Sequence, residues 1–229
     1  MKRLLYGIFA HPDDEAFGPA GTLIKEAREG SEVHLISLTL GDAGCNPNGC
    51  KNLASVREKE WRLSGDLIGA TSLHYLGYRD GTMCNQSMVE IGEKLIALIA
   101  DKATSLANGD TIELMSIDLN GVTGHIDHIV AARASAYAYY KLKAAYPQLV
   151  SRLRLVCLPN HYAPSVNVDW IYMEAGRNNN EIDEIVDARE YNEQIISVMR
   201  AHATQKSDGE RHIKMRGNNV GLNYFRVIK

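Results

Sequence analysis

At 229 residues the chain is long enough for one sizeable α/β domain with a proper core. Its 45% hydrophobic and 23% charged residues are ordinary soluble-globular composition, and a formal net charge of -3 lacks the basic excess that nucleic acid or an anionic membrane selects. No segment approaches the roughly 20 apolar residues that span a bilayer, so a soluble, cytoplasmic protein is expected, without nucleic acid and without membrane insertion.

The opening run "RLLYGIFA" reads as a first strand. Acidic residues follow it at once and no small-residue cleavage site does, so it is not expected to be a signal peptide. Directly behind it stands "HPDDE", His11 to Glu15. Like charges crowded at the end of a buried strand repel one another and resist leaving water, so folding alone gives little reason to place them there. Where a strand breaks into a turn, His11 and Asp14 can both face inward, giving two of the three protein ligands that a catalytic zinc needs. A dinucleotide is a poor fit: the turn carries acidic residues where G-x-G-x-x-G would cradle phosphates, and Gly18 and Gly21 come too late.

A first helix is expected from about Glu15 to Glu29, turning Leu23, Ile24 and Ala27 to the sheet and stopping at Gly30. "EVHLISLTL" reads as the second strand, followed by the polar, Gly-rich loop "GDAGCNPNGCKN". That length favours a lid or binding loop over a mere connector. Its Cys45 and Cys50 would bridge, bind a soft metal or, more commonly, stay reduced, and four cysteines are too few for a disulfide framework. The second helix runs near Asn52 to Leu67. "SLHYLGY" and "TIELMSID" are strands three and four, with a helix between them.

Strand alternating with helix predicts an α/β, Rossmann-like, mainly parallel sheet with helices on both faces and ligands beyond the carboxyl ends of the strands. "HPDDE" lies at that edge. So does the first turn of a helix beginning in "GHIDH" and closed by Pro147. His125 and His128, three apart, share a face, with Asp127 beside them. One of the two can bind the metal, leaving the other to work as a protonated imidazole near neutral pH. Alone, either motif is equally well a helix cap or a surface histidine; together at one edge they point to use. "RLRLVCLP" and "DWIYMEA" read as further strands and "EYNEQIISVMRAHA" as a late helix. No boundary divides residues 1–229, so a single domain is expected.

"AHPDDE" near the N-terminus and "GHIDH" later, with "VREKE" and "GYRDG" between them, resemble the LmbE/PIG-L family of metal-dependent N-deacetylases. The resemblance implies removal of an N-acetyl group from an N-acetylated amino sugar or its glycoside, such as the N-acetylglucosaminyl inositols and malate. It implies His11, Asp14 and His128 as metal ligands, usually for zinc, with another divalent ion such as Fe2+ as the alternative. Asp13 becomes the general base, His125 the electrostatic stabiliser and Asp127 the residue that orients it. Glu15 takes a role behind the metal ligands or at the helix N-terminus. Arg57 and Asp80 resemble residues near the sugar, although Arg57 could instead pair with Glu60, and Asp80 could start a turn at Gly81.

"HATQ", His202 to Gln205, resembles a late family segment and is taken as structural. Ile126 stands where many members have proline, and Thr123 where some relatives have a tyrosine, which removes oxyanion help from that side chain. His161 could reach the mouth of the site, whereas His34, His74 and His212 read as packing or surface residues. Specificity is expected around "CNPNGC", "GYRDG" and the region from His161 to Asn180. Assembly as a trimer or hexamer is a further implication. Other readings left by the residues are hydrolysis of a different amide on a non-sugar amine, and a non-catalytic metal- or sugar-binding domain.

Overall fold

The structure, a computed structural model, describes residues 1–46, 49–163 and 176–229. Its strands are β1 (Arg3–Phe9), β2 (Glu32–Ser37), β3 (Ser72–Tyr75), β4 (Thr111–Ile117), β5 (Val150–Val156), β6 (Glu184–Asp187) and β7 (Leu222–Ile228). They form one sheet in the order β3-β2-β1-β4-β5-β7-β6; the first five are parallel, while β7 pairs antiparallel with both β5 and β6. The helices are α1 (Asp14–Phe17), α2 (Ala20–Arg28), α3 (Leu53–Ile68), α4 (Asn85–Ala103), α5 (Ile126–Ala145), α6 (Asn192–Ala201) and α7 (Lys206–Arg216).

β1 shows why the apolar run is continuous. Leu4, Tyr6 and Ile8 pack into one core with Leu95 and Ile99 of α4 and Ala131 and Tyr139 of α5. Leu5 and Phe9 enter a second core with Leu23 of α2, Trp61 of α3 and Val198 of α6. A strand covered on both faces needs apolar side chains at every position. β2 and β4 flank β1 on opposite sides. The chain leaving β1 and the chain leaving β4 therefore meet at the crevice where strand order reverses, the place where such sheets bind ligands.

The expected helix from Glu15 to Glu29 is two helices, α1 and α2, separated by Gly18 and Pro19. Proline offers no amide hydrogen to the preceding turn and biases the residue before it away from helix, so the chain turns there and restarts at Ala20. The third strand stops at Tyr75, and Gly77 takes φ 83° in the loop that continues it. β6, β7 and α7 are not among the expected elements, and the "DWIYMEA" strand falls outside the described residues. Among the described residues no helix is long and apolar enough to cross a membrane.

The antiparallel edge is tied to the parallel core by a buried cation. Arg154 of β5, 2% exposed, is paired with Glu113 of β4, lies 2.8 Å from Glu26 of α2 and approaches Glu184 of β6 at 3.9 Å. Replacing Arg154 by Met leaves those carboxylates short of a cation in a buried setting. Urea unfolding of that variant is expected to show a loss of about 3 kcal/mol, and an unchanged midpoint would show that the network does not hold the edge.

Candidate metal centre and active site

The turn after β1 is built around Asp14. Its Oδ2 accepts the Ala10 and His11 amide hydrogens, both at 3.0 Å, which leaves Oδ1 free to face His128 Nε2 at 3.1 Å. His11 is fixed from the other side: its Nε2 lies 3.0 Å from Asp80 Oδ1 and 3.3 Å from Asp127 Oδ2. A histidine that donates through Nε2 carries its lone pair on Nδ1. His128 has the opposite arrangement, with Nδ1 3.2 Å from the Gly121 carbonyl and its lone pair on Nε2. His11 Nδ1 and His128 Nε2 then face each other at 3.2 Å.

With both rings neutral, two lone pairs and a carboxylate oxygen face one another, and either a proton on His11 Nδ1 or a metal ion in its place relieves the repulsion. His11, Asp14 and His128 each offer a donor atom within 4.8 Å of the others, mixed nitrogen and oxygen donors that suit a zinc-like ion. Carboxylate and carbonyl partners behind the two imidazoles are the outer contacts that metal-binding histidines need. His11, Asp80 and His125 form a second grouping of the same size. Its His11 edge is already engaged by Asp80 and Asp127, so the first grouping is the better site. Burial works to lower the His11 pKa, but hydrogen bonds to Asp127 and Asp80 and the charge of Asp14 outweigh it and push it up to about 10. Burial opposes ionisation of Asp14, yet His128 and His11 hold its carboxyl well below the usual range.

Asp13 sits beside this centre in a left-handed conformation, φ 114°. Such a backbone costs a non-glycine residue roughly 1–3 kcal/mol and persists only where the surroundings impose it. Arg57, 3% exposed, supplies part of that constraint: Nη2 donates to the Pro12 carbonyl at 2.5 Å and to Asp13 Oδ2 at 2.9 Å, and Nη1 to the Gly41 carbonyl at 3.2 Å. The Gly-rich loop after β2 wraps this guanidinium, and a Cβ at either Gly41 or Gly44 would lie 2.3 Å from an Arg57 atom. Burial pushes the Asp13 carboxyl up to about 6, against the opposing charge of Arg57.

The expected site residues thus converge, with four differences in their neighbours. Asp80, expected near a sugar, is buried against His11 and the Ala43 amide, and Asp42 accepts its backbone N–H in return. Arg57 likewise turns to the protein, and its suggested partner Glu60 instead accepts the Thr204 amide and hydroxyl. The Asp127 carboxylate reaches His11 and the Gly81 and Met83 amides, and only its backbone N–H touches His125, at Nδ1. Burial, then the charges of His128 and His11, lowers the His125 pKa, and because Nδ1 accepts the Asp127 amide hydrogen, Nε2 is the nitrogen left to donate.

Sequence reading missed how Glu15 is held. Its Oε1 lies 2.6 Å from Ser64 Oγ and 2.7 Å from His202 Nε2, and its Oε2 accepts the Asp13 amide at 3.1 Å. Both cysteines of the loop are free thiols, and Asn46 closes that turn by bonding the Cys50 backbone twice. A cavity of about 710 Å³ opens beside Asp14 and His128. Phe17, Val122 and Met215 line it, with His161, Thr123 and Tyr162. His212 also reaches its wall, whereas His34 stacks on Tyr6 in the core.

Comparison with known proteins places these features in context. A deacetylase from Nocardiopsis dassonvillei, named for 1D-myo-inositol 2-acetamido-2-deoxy-alpha-D-glucopyranoside, is 30% identical over 243 residues, covering 89% of this chain and 85% of its own. A deacetylase of the same name from Acidothermus cellulolyticus is 26% identical, covering 99% of this chain and 87% of its own. Among solved structures, the N,N'-diacetylchitobiose deacetylase of Pyrococcus horikoshii superposes with a TM-score of 0.71 at 19% identity, covering 99% of this chain and 84% of its own. A 4-carboxy-2-hydroxymuconate hydratase from Pseudomonas putida shares the fold at a TM-score of 0.68 and 14% identity, covering 100% of this chain and 97% of its own. The family model described as PIG-L, GlcNAc-PI de-N-acetylase, matches residues 7–139, from within β1 to within α5, and spans every residue assigned to the metal centre. The chain belongs to the PIG-L family.

Proposed function

We propose that this single-domain protein is a metal-dependent N-deacetylase that hydrolyses the amide of an N-acetylated amino sugar or its glycoside. The N-acetylglucosaminyl inositol named for its relatives is the first substrate to test. The convergence of His11 Nδ1, Asp14 Oδ1 and His128 Nε2 carries the reading. These three would hold the ion, zinc by their donor set, with Fe2+ as the alternative. When bound, such an ion polarises the amide carbonyl and acidifies a water.

The remaining work falls to the chain's own groups. Asp13, its carboxyl pushed up to about 6, accepts the proton of the attacking water and returns it to the amine nitrogen as the C–N bond breaks. Arg57 holds that carboxylate in place. His125 donates Nε2–H to the developing oxyanion, a contribution on the order of 3 kcal/mol. Asp80 and Asp127 keep the proton of His11 on Nε2, so that Nδ1 stays available. The rest of the substrate lies in the cavity beside Asp14 and His128.

The apolar part of that cavity, from Phe17 and Val122 to Met215, favours one second reading, an acyl group on a bulkier non-sugar amine. Amine release from N-acetylglucosamine, its inositol glycoside, chitobiose and N-acetylated aryl amines separates the two. Assembly as a trimer or hexamer and a cytoplasmic location belong to the same proposal.

Asp13→Ala is expected to lower kcat by roughly 10²- to 10⁴-fold with bound metal unchanged; wild-type turnover in that variant would remove Asp13 as the base. Metal binding is expected to release about one proton at pH 7, because His11 is protonated below about 10 in the metal-free protein. Affinity should therefore rise about tenfold per pH unit there. Calorimetry in buffers of differing ionisation enthalpy reads the proton directly, and binding without release would contradict the ligand role of His11.

A further inference from the structure

His202 lies far from the metal ligands in sequence and just past the end of α6, yet it ends up under the turn that carries Asp13. His202, Glu15 and Ser64 are all 0% exposed. His202 Nε2 and Ser64 Oγ both bond Glu15 Oε1, and Glu15 Oε2 accepts the Asp13 amide hydrogen. The second nitrogen of His202, Nδ1, is buried with no hydrogen-bond partner among the described residues. A ring needed only to fill space would be better as an apolar one, since a buried unpaired nitrogen is destabilising. The hydrogen bond to Glu15 is what the imidazole contributes. Burial lowers the His202 pKa, but the charge and hydrogen bond of Glu15 prevail and raise it, favouring a cation opposite that carboxylate.

The neighbouring residues lock the same segment. Thr204 bonds Glu60 of α3 through its amide and hydroxyl, and Gln205 donates to the Cys45 carbonyl in the loop that also wraps Arg57. Asp13 is thereby fixed at three points: its carboxylate by Arg57, its carbonyl by the Ala16 and Phe17 amides, and its N–H by Glu15. Only the last of these runs through a side chain that is itself held by another buried ionisable group.

We propose that His202 is a positioning residue for the general base: through Glu15 it holds the Asp13 backbone in the left-handed conformation that aims the Asp13 carboxylate into the site. This rests on the deacetylase reading for its kinetic consequence and on geometry alone for its structural one.

The test measures kcat, KM and bound metal for amine release from N-acetylglucosaminyl inositol, with His202→Ala made alone and in the Asp13→Ala background. Exchange of the Asp13 amide hydrogen is followed by NMR in both the wild-type and His202→Ala proteins. Alone, the substitution is expected to lower kcat roughly 10- to 100-fold, with KM within about twofold and metal retained. With Asp13 already removed it should lower the residual rate no further, whereas a merely structural role would depress both backgrounds alike. The Asp13 amide should exchange at least about tenfold faster.

If His202→Ala does not fold, Ser64→Ala and His202→Gln take its place. Ser64→Ala loses one of two bonds to Glu15 and should cost kcat severalfold, while Gln keeps a donor and should stay within about threefold of wild type. An unchanged kcat in both His202→Ala and Ser64→Ala, an equal loss in the Asp13→Ala background, or unchanged Asp13 amide exchange overturns the proposal. Silence of the wild-type protein on every substrate would sink the deacetylase reading instead, and the amide exchange would still decide for or against His202.

Discussion

Negative charge buried at the end of the first strand is the constraint that the surrounding structure answers. Asp13, Asp14, Glu15, Asp80 and Asp127 bring five carboxylates to one crevice, and Glu15 and Asp127 are almost wholly out of water. Isolated carboxylates cannot stay ionised there without partners. Each has one: Arg57 for Asp13, His128 for Asp14, His202 for Glu15, and His11 for Asp80 and Asp127 together. These pairings divide the crevice into one side where Arg57 immobilises the Asp13 carboxylate and another where His11 Nδ1, His128 Nε2 and an Asp14 oxygen converge. On the proposed reading a divalent cation would sit on that second side, and the charge that burdens folding would become the means of holding it.

The fold makes this possible by geometry rather than by local sequence preference. β1 and β4 are neighbours at the point where strand order reverses, so the turn after β1 and the loop leading into α5 open on the same crevice. The loop after β2 then closes over Arg57, and its glycines at 41 and 44 leave room for the guanidinium. A hydratase shares this architecture at a comparable TM-score. The sheet therefore supplies a place for chemistry without fixing which chemistry, and the site residues carry the distinction.

Much of this was legible in the sequence. The alternation of short apolar runs with amphipathic stretches placed β1 to β5, α3 and α5, and the two motifs named the groups that meet at the strand ends. The apolar spacing of Leu23, Ile24 and Ala27 reads as one helix, and the break at Gly18 and Pro19 divides it. β7 lies at the very end of the chain, and its position between β5 and β6 depends on antiparallel pairing that no local pattern announces. Side-chain partners across long separations were the least accessible. Asp80 and Arg57 stand near a sugar by resemblance alone; the structure shows both buried, Asp80 against His11 and Arg57 against Asp13, partners that no local pattern announces. The Glu15 to His202 contact spans 187 positions; "HATQ" marks His202 as structural, but nothing in the local pattern pairs it with Glu15.

Zinc-edge anomalous diffraction from crystals of the zinc-loaded protein decides whether one ion sits among His11, Asp14 and His128. A single peak is expected within bonding distance of His11 Nδ1, Asp14 Oδ1 and His128 Nε2, with Asp80 and Asp127 still on His11 Nε2. A peak on the opposite edge of His11, shared with Asp80 and His125, or no ordered ion in the crevice, would contradict it.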